Sequence, residues 1–222
     1  EYTAYGNGDY RINGLEIEQA DGSETADLKF ESYEIRKGKY SLKGLPAMFA
    51  RDDEAETLEI VLSDRASGLK AHLLYGVFPH LDVITRAVRL ENTGTAPVTV
   101  KKAMSVELDY EYRELDAVHF YGRHNMERQM ERVHLGHGNW SVGSIRGTSS
   151  HHHNPFVILC DRNTEENHGE CYGYALAYSG NFAFETEVDQ VGHTRVIMGI
   201  HPYHFSWKLE QGESFETPEV IM

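Results

Sequence analysis

Apolar and polar residues alternate with a period of two through much of this sequence, and this pattern limits the possible folds more than any other feature. It is clearest over residues 98–108, where Lys102 is the exception among the side chains that share one face. The apolar members of that face are Val98, Val100, Met104, Val106 and Leu108. Successive side chains of a β-strand point to opposite faces, so the pattern predicts a strand with one buried face.

Further runs of the same kind are separated by turn residues, which predicts an all-β fold. The runs cover residues 28–35, 57–62, 69–78, 83–91, 156–160, 172–178, 181–188 and 194–200, with short strands at 205–209 and 214–217. Pairs such as Ser67-Gly68 and Ser179-Gly180 between them tolerate the positive φ of tight turns. Residues 125–132 fit a short helix, a strand or an irregular loop about equally well. The predicted fold is a large antiparallel β-sandwich.

The length of the chain is compatible with one domain. All-β sandwiches of about 200–250 residues form single domains, and this chain has 222 residues. It contains no repeat of fixed period, no low-complexity tract and no linker rich in Pro, Gly and Ser. We therefore expect residues 1–222 to form one domain.

The charge of the chain disfavours two classes of partner. A formal net charge of −14 at pH 7 repels phosphate backbones and anionic lipid surfaces, so neither a nucleic acid nor a membrane is expected as a partner. No run approaches the roughly 18 apolar residues that a membrane-spanning helix needs. The two cysteines, Cys160 and Cys171, flank a polar hairpin loop. We expect reduced, buried thiols there, with a disulfide as the alternative.

Histidines and carboxylates are the candidate chemical groups, and neither type forms a recognisable catalytic motif. His151, His152 and His153 are adjacent, and adjacent side chains seldom converge on one metal ion, so we expect a polar loop and no metal. The densest acidic cluster, Arg51-Asp52-Asp53-Glu54, precedes a strand and would usually be a solvated loop. No nucleophile elbow, phosphate loop or Cys-x-x-Cys pair is present, and no cofactor is predicted.

Several segments resemble the N-terminal domain of the glycoside hydrolase family 36 α-galactosidases of bacteria. They are Tyr5-Gly6-Asn7-Gly8-Asp9-Tyr10-Arg11, Lys43-Gly44-Leu45-Pro46-Ala47, Glu54-Ala55-Glu56-Thr57-Leu58-Glu59-Ile60, Gly122-Arg123-His124, Glu127-Arg128, Gly147-Thr148-Ser149-Ser150-His151, Asn154-Pro155-Phe156, Tyr178-Ser179-Gly180-Asn181-Phe182 and Ser206-Trp207. The resemblance extends over essentially the whole chain.

The resemblance implies a galactose mutarotase-like supersandwich that precedes a catalytic (β/α)₈ barrel in the same polypeptide. Family members are retaining enzymes that release terminal α-galactose from melibiose or raffinose, and both catalytic Asp residues belong to the barrel. No catalytic residue is therefore expected here. The family usually has further strands before the Tyr5-Gly6 region, which implies that the first strands of the sandwich are lacking here. It also implies a cytoplasmic protein and a homo-oligomer, commonly a tetramer.

In such a tetramer this domain approaches the active site of a neighbouring subunit. The residues of this chain that we expect near the rim of a galactoside site are Arg51, Asp52, Asp53, Trp140 and His151. Two alternatives remain at this stage. A free-standing carbohydrate-binding or interaction module would bind galactosides without a barrel, and an aldose epimerase-like domain would need a His and a Glu that face one sugar.

Overall fold

The structure is a computed structural model, and it describes residues 2–51 and 53–222. These residues form sixteen β-strands and no helix, and the strands are arranged in two sheets. Every pair of neighbouring named strands is antiparallel. The large antiparallel β-sandwich predicted from the alternation is confirmed. No helix in this part of the chain is long and apolar enough to cross a membrane.

The smaller sheet has six strands. In spatial order these are β1 (Leu15–Gln19), β6 (Val98–Tyr110), β13 (Thr194–Ile200), β12 (Phe182–Val188) and β9 (Gly138–Ser144), with β14 (Trp207–Leu209) also paired to β6. The long strand β6 therefore spans the sheet and contacts three others. It places the first part of the chain beside the last part.

The larger sheet has ten strands. In spatial order these are β2 (Lys29–Lys37), β3 (Glu56–Ser63), β4 (Leu69–Phe78), β5 (Val83–Asn92), β16 (Val220–Ile221), β11 (Cys171–Leu176), β10 (His153–Asp161), β7 (Leu115–Arg123) and β8 (Met126–His134), with β15 (Ser214–Glu216) paired to β5. Residues 125–132, for which the sequence left three possibilities, lie largely in the edge strand β8. The other edge strand is β2.

The hydrophobic core lies between the two sheets and has two halves. One half gathers Leu73 and Val88 of the larger sheet against Val100 of the smaller one. The other packs Leu159 and Tyr174 of the larger sheet against inward-facing side chains of β6, β12 and β13. Each such side chain contributes about 1.5–3 kcal/mol when it is fully buried. This burial is what makes the alternating pattern fold into a sandwich.

Residues 2–14, which we call the N-terminal segment, flank the smaller sheet: Tyr2 and Ala4 belong to the core between the sheets, and Ile12 packs on outward-facing side chains of β6, β12 and β13. The backbone N–H of Thr3 donates to Oε2 of Glu107 (2.9 Å), and the N–H of Ile12 donates to Oε2 of Glu187 (2.7 Å). A Cβ on Gly14 would clash with the carboxylate of Glu107 and crowd the ring of Tyr2, so a side chain there would have to displace the buried carboxylate. The segment is thereby fixed to β6 and β12.

Arg195, whose side chain is fully buried, is the centre of an ion cluster under the N-terminal segment. Its Nε and Nη2 donate to the two carboxylate oxygens of Asp109, both at 2.8 Å, and Nη2 lies 2.9 Å from Asp9. Arg11 pairs with the same two carboxylates at 2.8 and 3.1 Å. Parallel N–H···O bonds of this kind are strong and directional. The cluster ties residues far apart in the chain, 9–11 and 195, to β6.

Acidification is expected to loosen the N-terminal segment. The hydrogen bond from Arg11 holds the pKa of Asp9 well below its usual range. Burial raises the pKa of Asp109, but the hydrogen bonds and positive charges of Arg195 and Arg11 together lower it overall. A carboxyl group whose pKa is lower in the folded state stabilises the fold above its unfolded pKa of about 4, and that contribution is lost as the pH falls through the folded pKa. Amide exchange of residues 2–14, corrected for intrinsic rates, should therefore accelerate below about pH 4.

Asp9→Asn provides the control for this pH effect. The variant lacks the titrating carboxyl group, so residues 2–14 should exchange faster than in the wild type at pH 7 and change less on acidification. An identical pH dependence in the two proteins would contradict the assignment of this effect to the carboxyl group of Asp9.

Candidate functional site

Residues 38–55, which we call the covering segment, join the edge strand β2 to β3 and pack on the outer face of the larger sheet. The N–H of Gly38 donates to the carbonyl of Ala55 (2.9 Å), which closes the base of the segment. Tyr40 and Leu42 are buried against outward-facing side chains of β4 and β5. Residues 38–51 and 53–55 form no helix or strand, so these contacts and side-chain hydrogen bonds determine their path.

A buried ion pair anchors the covering segment to the end of the chain. Nζ of Lys39 contacts Oε1 of Glu219, and the two side chains are 4% and 0% exposed. The other carboxylate oxygen of Glu219 accepts the N–H of Met48 at 2.5 Å. The N–H of Lys43 donates to Glu216 (2.8 Å). Buried charges are tolerated only when they are paired and hydrogen-bonded, so the lysine and the glutamate depend on each other.

The tip of the covering segment presents polar and aromatic groups to solvent. A turn is formed where Arg51 donates its N–H to Oε2 of Glu54 (2.8 Å) and accepts the N–H of Glu54 (3.0 Å). Arg51 and Asp53 are exposed, and Phe49 beside them is 81% exposed. Asp52, the third predicted rim residue of this turn, lies outside the described residues.

A cleft of about 580 Å³ lies beside this tip, and its lining includes Lys37, Asp53 and Glu56. Its volume is in the range of small-molecule sites. Ammonium and carboxylate groups can bind sugar hydroxyls, and the face of an exposed ring such as Phe49 can stack on the apolar face of a pyranose. The tip therefore has the chemistry of a sugar-contacting rim. The sequence analysis did not single out Phe49, although a large aromatic residue in a stretch without strand periodicity was a usable signal.

The other two predicted rim residues lie elsewhere. Trp140 is on β9 and packs against His119 and Phe184, with ring centroids 5.4 and 6.2 Å apart. His151 is exposed in the turn before β10. The indole of Trp140 is thus largely a packing element, whereas His151 is available to solvent.

One row of paired residues across the larger sheet shows how far Arg51 and Asp53 lie from His151. The row runs through Thr57, Gly76, Thr85, Ile221, Ala175 and Phe156. Its ends are five interstrand spacings apart, which is about 24 Å along the sheet. The loops that carry Arg51 and His151 leave this row in opposite directions, because β3 and β10 are antiparallel. The structure brings Arg51 and Asp53 together, but one sugar cannot contact them and His151 of the same chain.

The histidines serve mainly as hydrogen-bonding partners in loops and at strand ends. Nδ1 of His134 lies 3.0 Å from Asp116, Nδ1 of His137 lies 2.7 Å from the carbonyl of Asp189, and Nδ1 of His201 accepts the N–H of Tyr203 at 3.1 Å. Across residues 2–51 and 53–222, no three or more His, Cys, Asp or Glu side chains are grouped so that they could hold a metal ion.

Comparison with known proteins identifies the family. A model of the glycosyl hydrolase family 36 N-terminal domain matches residues 1–210. The chain belongs to this family. The resemblance that the sequence motifs carried is therefore confirmed, and we refer to the molecule below as a family 36 N-terminal domain.

Two relatives show the context of this family 36 N-terminal domain. The bifunctional α-galactosidase/sucrose kinase AgaSK of Mediterraneibacter gnavus is 52% identical over 222 residues, which are 100% of this chain and 24% of that protein. The α-galactosidase AgaA of Geobacillus stearothermophilus is 44% identical over 223 residues, which are 100% of this chain and 31% of that protein. The chain thus spans a quarter to a third of the length of these relatives.

Solved structures confirm the supersandwich. The crystal structure of AgaA matches with a TM-score of 0.98 at 44% identity and covers 100% of this chain and 31% of that one. Variants of AgaA have also been solved in complex with raffinose and with stachyose.

Proposed function

We propose that this family 36 N-terminal domain is part of an α-galactosidase, and that it shapes the rim of the substrate site while a separate barrel in the same polypeptide carries out hydrolysis. The observation that carries this proposal is the match of the whole chain to α-galactosidases several times its length, one of which was solved with raffinose. The substrates proposed are terminal α-galactosides of the melibiose and raffinose type.

The tip of the covering segment is the part of the domain best suited to this role. Raffinose extends the galactosyl unit with two further sugars, and these lie outside the pocket that holds the galactose. Arg51 offers guanidinium donors, Asp53 offers acceptors and Phe49 offers a ring face, all of them exposed. Contacts of this kind would act on the outer sugars of a longer substrate and leave the reacting bond to the barrel.

The intact protein is proposed to be a homo-oligomer, and specifically a tetramer. Support comes from the edge strand β2, on which Phe30, Tyr33 and Ile35 are each more than 60% exposed. An unpaired edge with large apolar side chains favours association with another part of the protein or with a second subunit. Through such a contact, the tip of one subunit would reach the barrel of its neighbour.

Charge and cysteine usage support our proposals for location and partners. The net charge of −14 argues against nucleic acids and anionic membrane surfaces as partners. Both cysteines are free thiols, which is the usual state in a reducing compartment, so we propose a cytoplasmic protein.

Alanine substitution of Phe49 or Arg51 in the full-length protein tests the proposal. We expect kcat/KM for raffinose to fall about tenfold, which corresponds to the loss of about 1.4 kcal/mol of binding to the outer sugars. For an aryl α-galactoside without those sugars, the change should stay within about twofold. Steady-state kinetics on both substrates gives the ratio, and the 222-residue chain alone serves as the blank.

Two further variants make this kinetic test specific. Arg65→Ala removes an exposed arginine in a different loop and should leave both substrates unaffected. His151→Ala examines the predicted rim residue that is exposed in the turn before β10. If it lowered raffinose turnover while the Phe49 and Arg51 variants did not, the rim would lie at the β10 end of the sheet and the role given to the covering segment would be wrong.

A further inference from the structure

Cys160 on β10 and Cys171 on β11 are directly opposite each other in the larger sheet. Both are free thiols, the first buried and the second exposed. This corrects the expectation from the sequence that both thiols are buried. The reason is local, because β16 pairs only with Ala175 and Leu176 and leaves the other edge of β11 open at Cys171.

The hydrogen-bond pattern of the hairpin shows what kind of pair the cysteines form. In the neighbouring pair, the N–H of Asp161 donates to the carbonyl of Glu170 (3.3 Å), so Asp161 and Glu170 occupy a hydrogen-bonded position. Hydrogen-bonded and non-hydrogen-bonded pairs alternate along an antiparallel ladder, so Cys160 and Cys171 occupy a non-hydrogen-bonded one. The Cα atoms of such a pair are about 4.5 Å apart, which lies within the range that a disulfide spans.

The two thiols differ in their access to solvent, and this difference determines which of them reacts first. Cys171 lines a cleft of about 430 Å³ together with Tyr110 and Tyr172, so a small reagent can reach it. The Sγ of Cys160 lies 3.8 Å from the carbonyl oxygen of Asp116, and burial raises the pKa of its thiol. Cys171 is therefore the thiol that meets an oxidant first, and Cys160 is placed to resolve the product.

We propose that Cys160 and Cys171 are a redox modification site that forms a reversible cross-strand disulfide with a small-molecule disulfide as oxidant. Cys171 gives its proton to solvent, and its thiolate attacks one sulfur of the reagent; a mixed disulfide forms, and the small thiolate that leaves takes up a proton to become a thiol. Cys160 then gives up its proton and attacks the Cys171 sulfur, and the second small thiol leaves with that proton. Two protein thiols are oxidised, and one small disulfide is reduced to two thiols.

The disulfide would close the loop of residues 161–170, whose carbonyls accept hydrogen bonds from Arg132 of the edge strand β8. The guanidinium of Arg132 on β8 donates to the carbonyls of Asp161 (3.1 Å), Arg162 (2.9 Å) and Thr164 (2.7 Å). A covalent link across the base of this loop restricts the motions that would carry these carbonyl groups away from Arg132. Oxidation is therefore expected to slow amide exchange in the loop and in β8.

Glutathione disulfide and peptide mapping of the full-length protein test the site. Tryptic cleavage after Arg146, Arg162 and Arg195 places the two cysteines on separate peptides, residues 147–162 and 163–195. We expect the oxidised protein to yield these peptides linked, with a mass about 2 Da below their sum, and the reduced protein to yield them apart. Titration against the ratio of reduced to oxidised glutathione should give a smooth, reversible transition.

Two variants make the outcome decisive. Cys160→Ala lacks the resolving thiol, so Cys171 should accumulate as a stable mixed disulfide. Cys171→Ser should leave Cys160 unmodified in the native protein. The proposal is overturned if the native wild-type protein keeps the mixed disulfide at Cys171, or if neither native thiol reacts although both react in denaturant.

Discussion

Replacing Glu219 with leucine should release the covering segment from the larger sheet and abolish its contribution to the substrate rim. Without the carboxylate, Lys39 is left as a buried cation with no counter-charge, and the N–H of Met48 loses its acceptor. Breaking one side of a buried ion pair costs about 3–5 kcal/mol. Its described residues, 38–51 and 53–55, form no helix or strand that would hold them otherwise, so the covering segment should detach before either sheet unfolds.

Hydrogen exchange and kinetics of the full-length protein measure this effect together. Amides of residues 38–55 should exchange roughly two orders of magnitude faster or more in Glu219→Leu. The loss of raffinose turnover should match or exceed that of Arg51→Ala. The double variant Lys39→Met with Glu219→Leu removes both charges, and it should recover much of the protection because an apolar pair of similar volume replaces the ion pair. If the double variant were no better than the single one, the ion pair would not be what holds the segment.

Replacing Arg195 with leucine should destabilise the smaller sheet by about 3–5 kcal/mol. The guanidinium is fully buried and neutralises Asp109 and Asp9, and Glu107 lies 3.5 Å from its Nε. Leucine fills part of the volume but removes the cation that these carboxylates share, and leaves Asp9 and Asp109 paired with Arg11 alone among the ion pairs of the described residues. Mutual repulsion should then push the N-terminal segment off β6.

The effect on the smaller sheet can be followed by amide exchange of β13 in the full-length protein. Peptides covering Thr194–Ile200 should exchange roughly two to three orders of magnitude faster in Arg195→Leu. Lys208→Met is the matched control, because Lys208 pairs with Glu210 at 2.7 Å but both side chains are more than half exposed. Such pairs are worth about 1 kcal/mol or less, so this variant should behave like the wild type. Equal effects of the two substitutions would show that burial of the cluster is unimportant.

The strand β6 shows where simple alternation fails to predict which face of the sheet a side chain occupies. The pattern placed Val98 and Val106 on one face with Lys102 as an exception. In the structure one irregularity lies opposite Glu16 and Ile17, and a second lies opposite Met198 and Gly199. Each shifts the register by one residue, so the second restores the face that the first changes. For this reason Lys102 does not face the core between the sheets, and Met104 packs in a separate small cluster.

The sequence did not predict β1, β7, β9 and β16 as strands and left β8 open, and in several of these strands the alternation is short or weak. β8 is exposed along nearly its whole length, so no buried face marks it as a strand. β1 has five residues and β16 has two, which is too short for a period to be visible. β1 and β16 pair with strands from distant parts of the chain, whereas β8 pairs with the adjacent strand β7. Their own sequences therefore carry little signal of their structure.

The sequence by itself determined the strands with one buried face, the turns between them and the family, because alternation, turn residues and motifs are local properties. Only the tertiary structure decided which polar residues meet. Lys39 and Glu219 are 180 residues apart, as their numbers show, and Asp9 meets Arg195 across most of the chain. Such pairs depend on strand order and register, which are set by the burial of two whole sheet faces. For the same reason Arg51 and His151, which looked alike as polar loop residues, lie on separate parts of the sandwich.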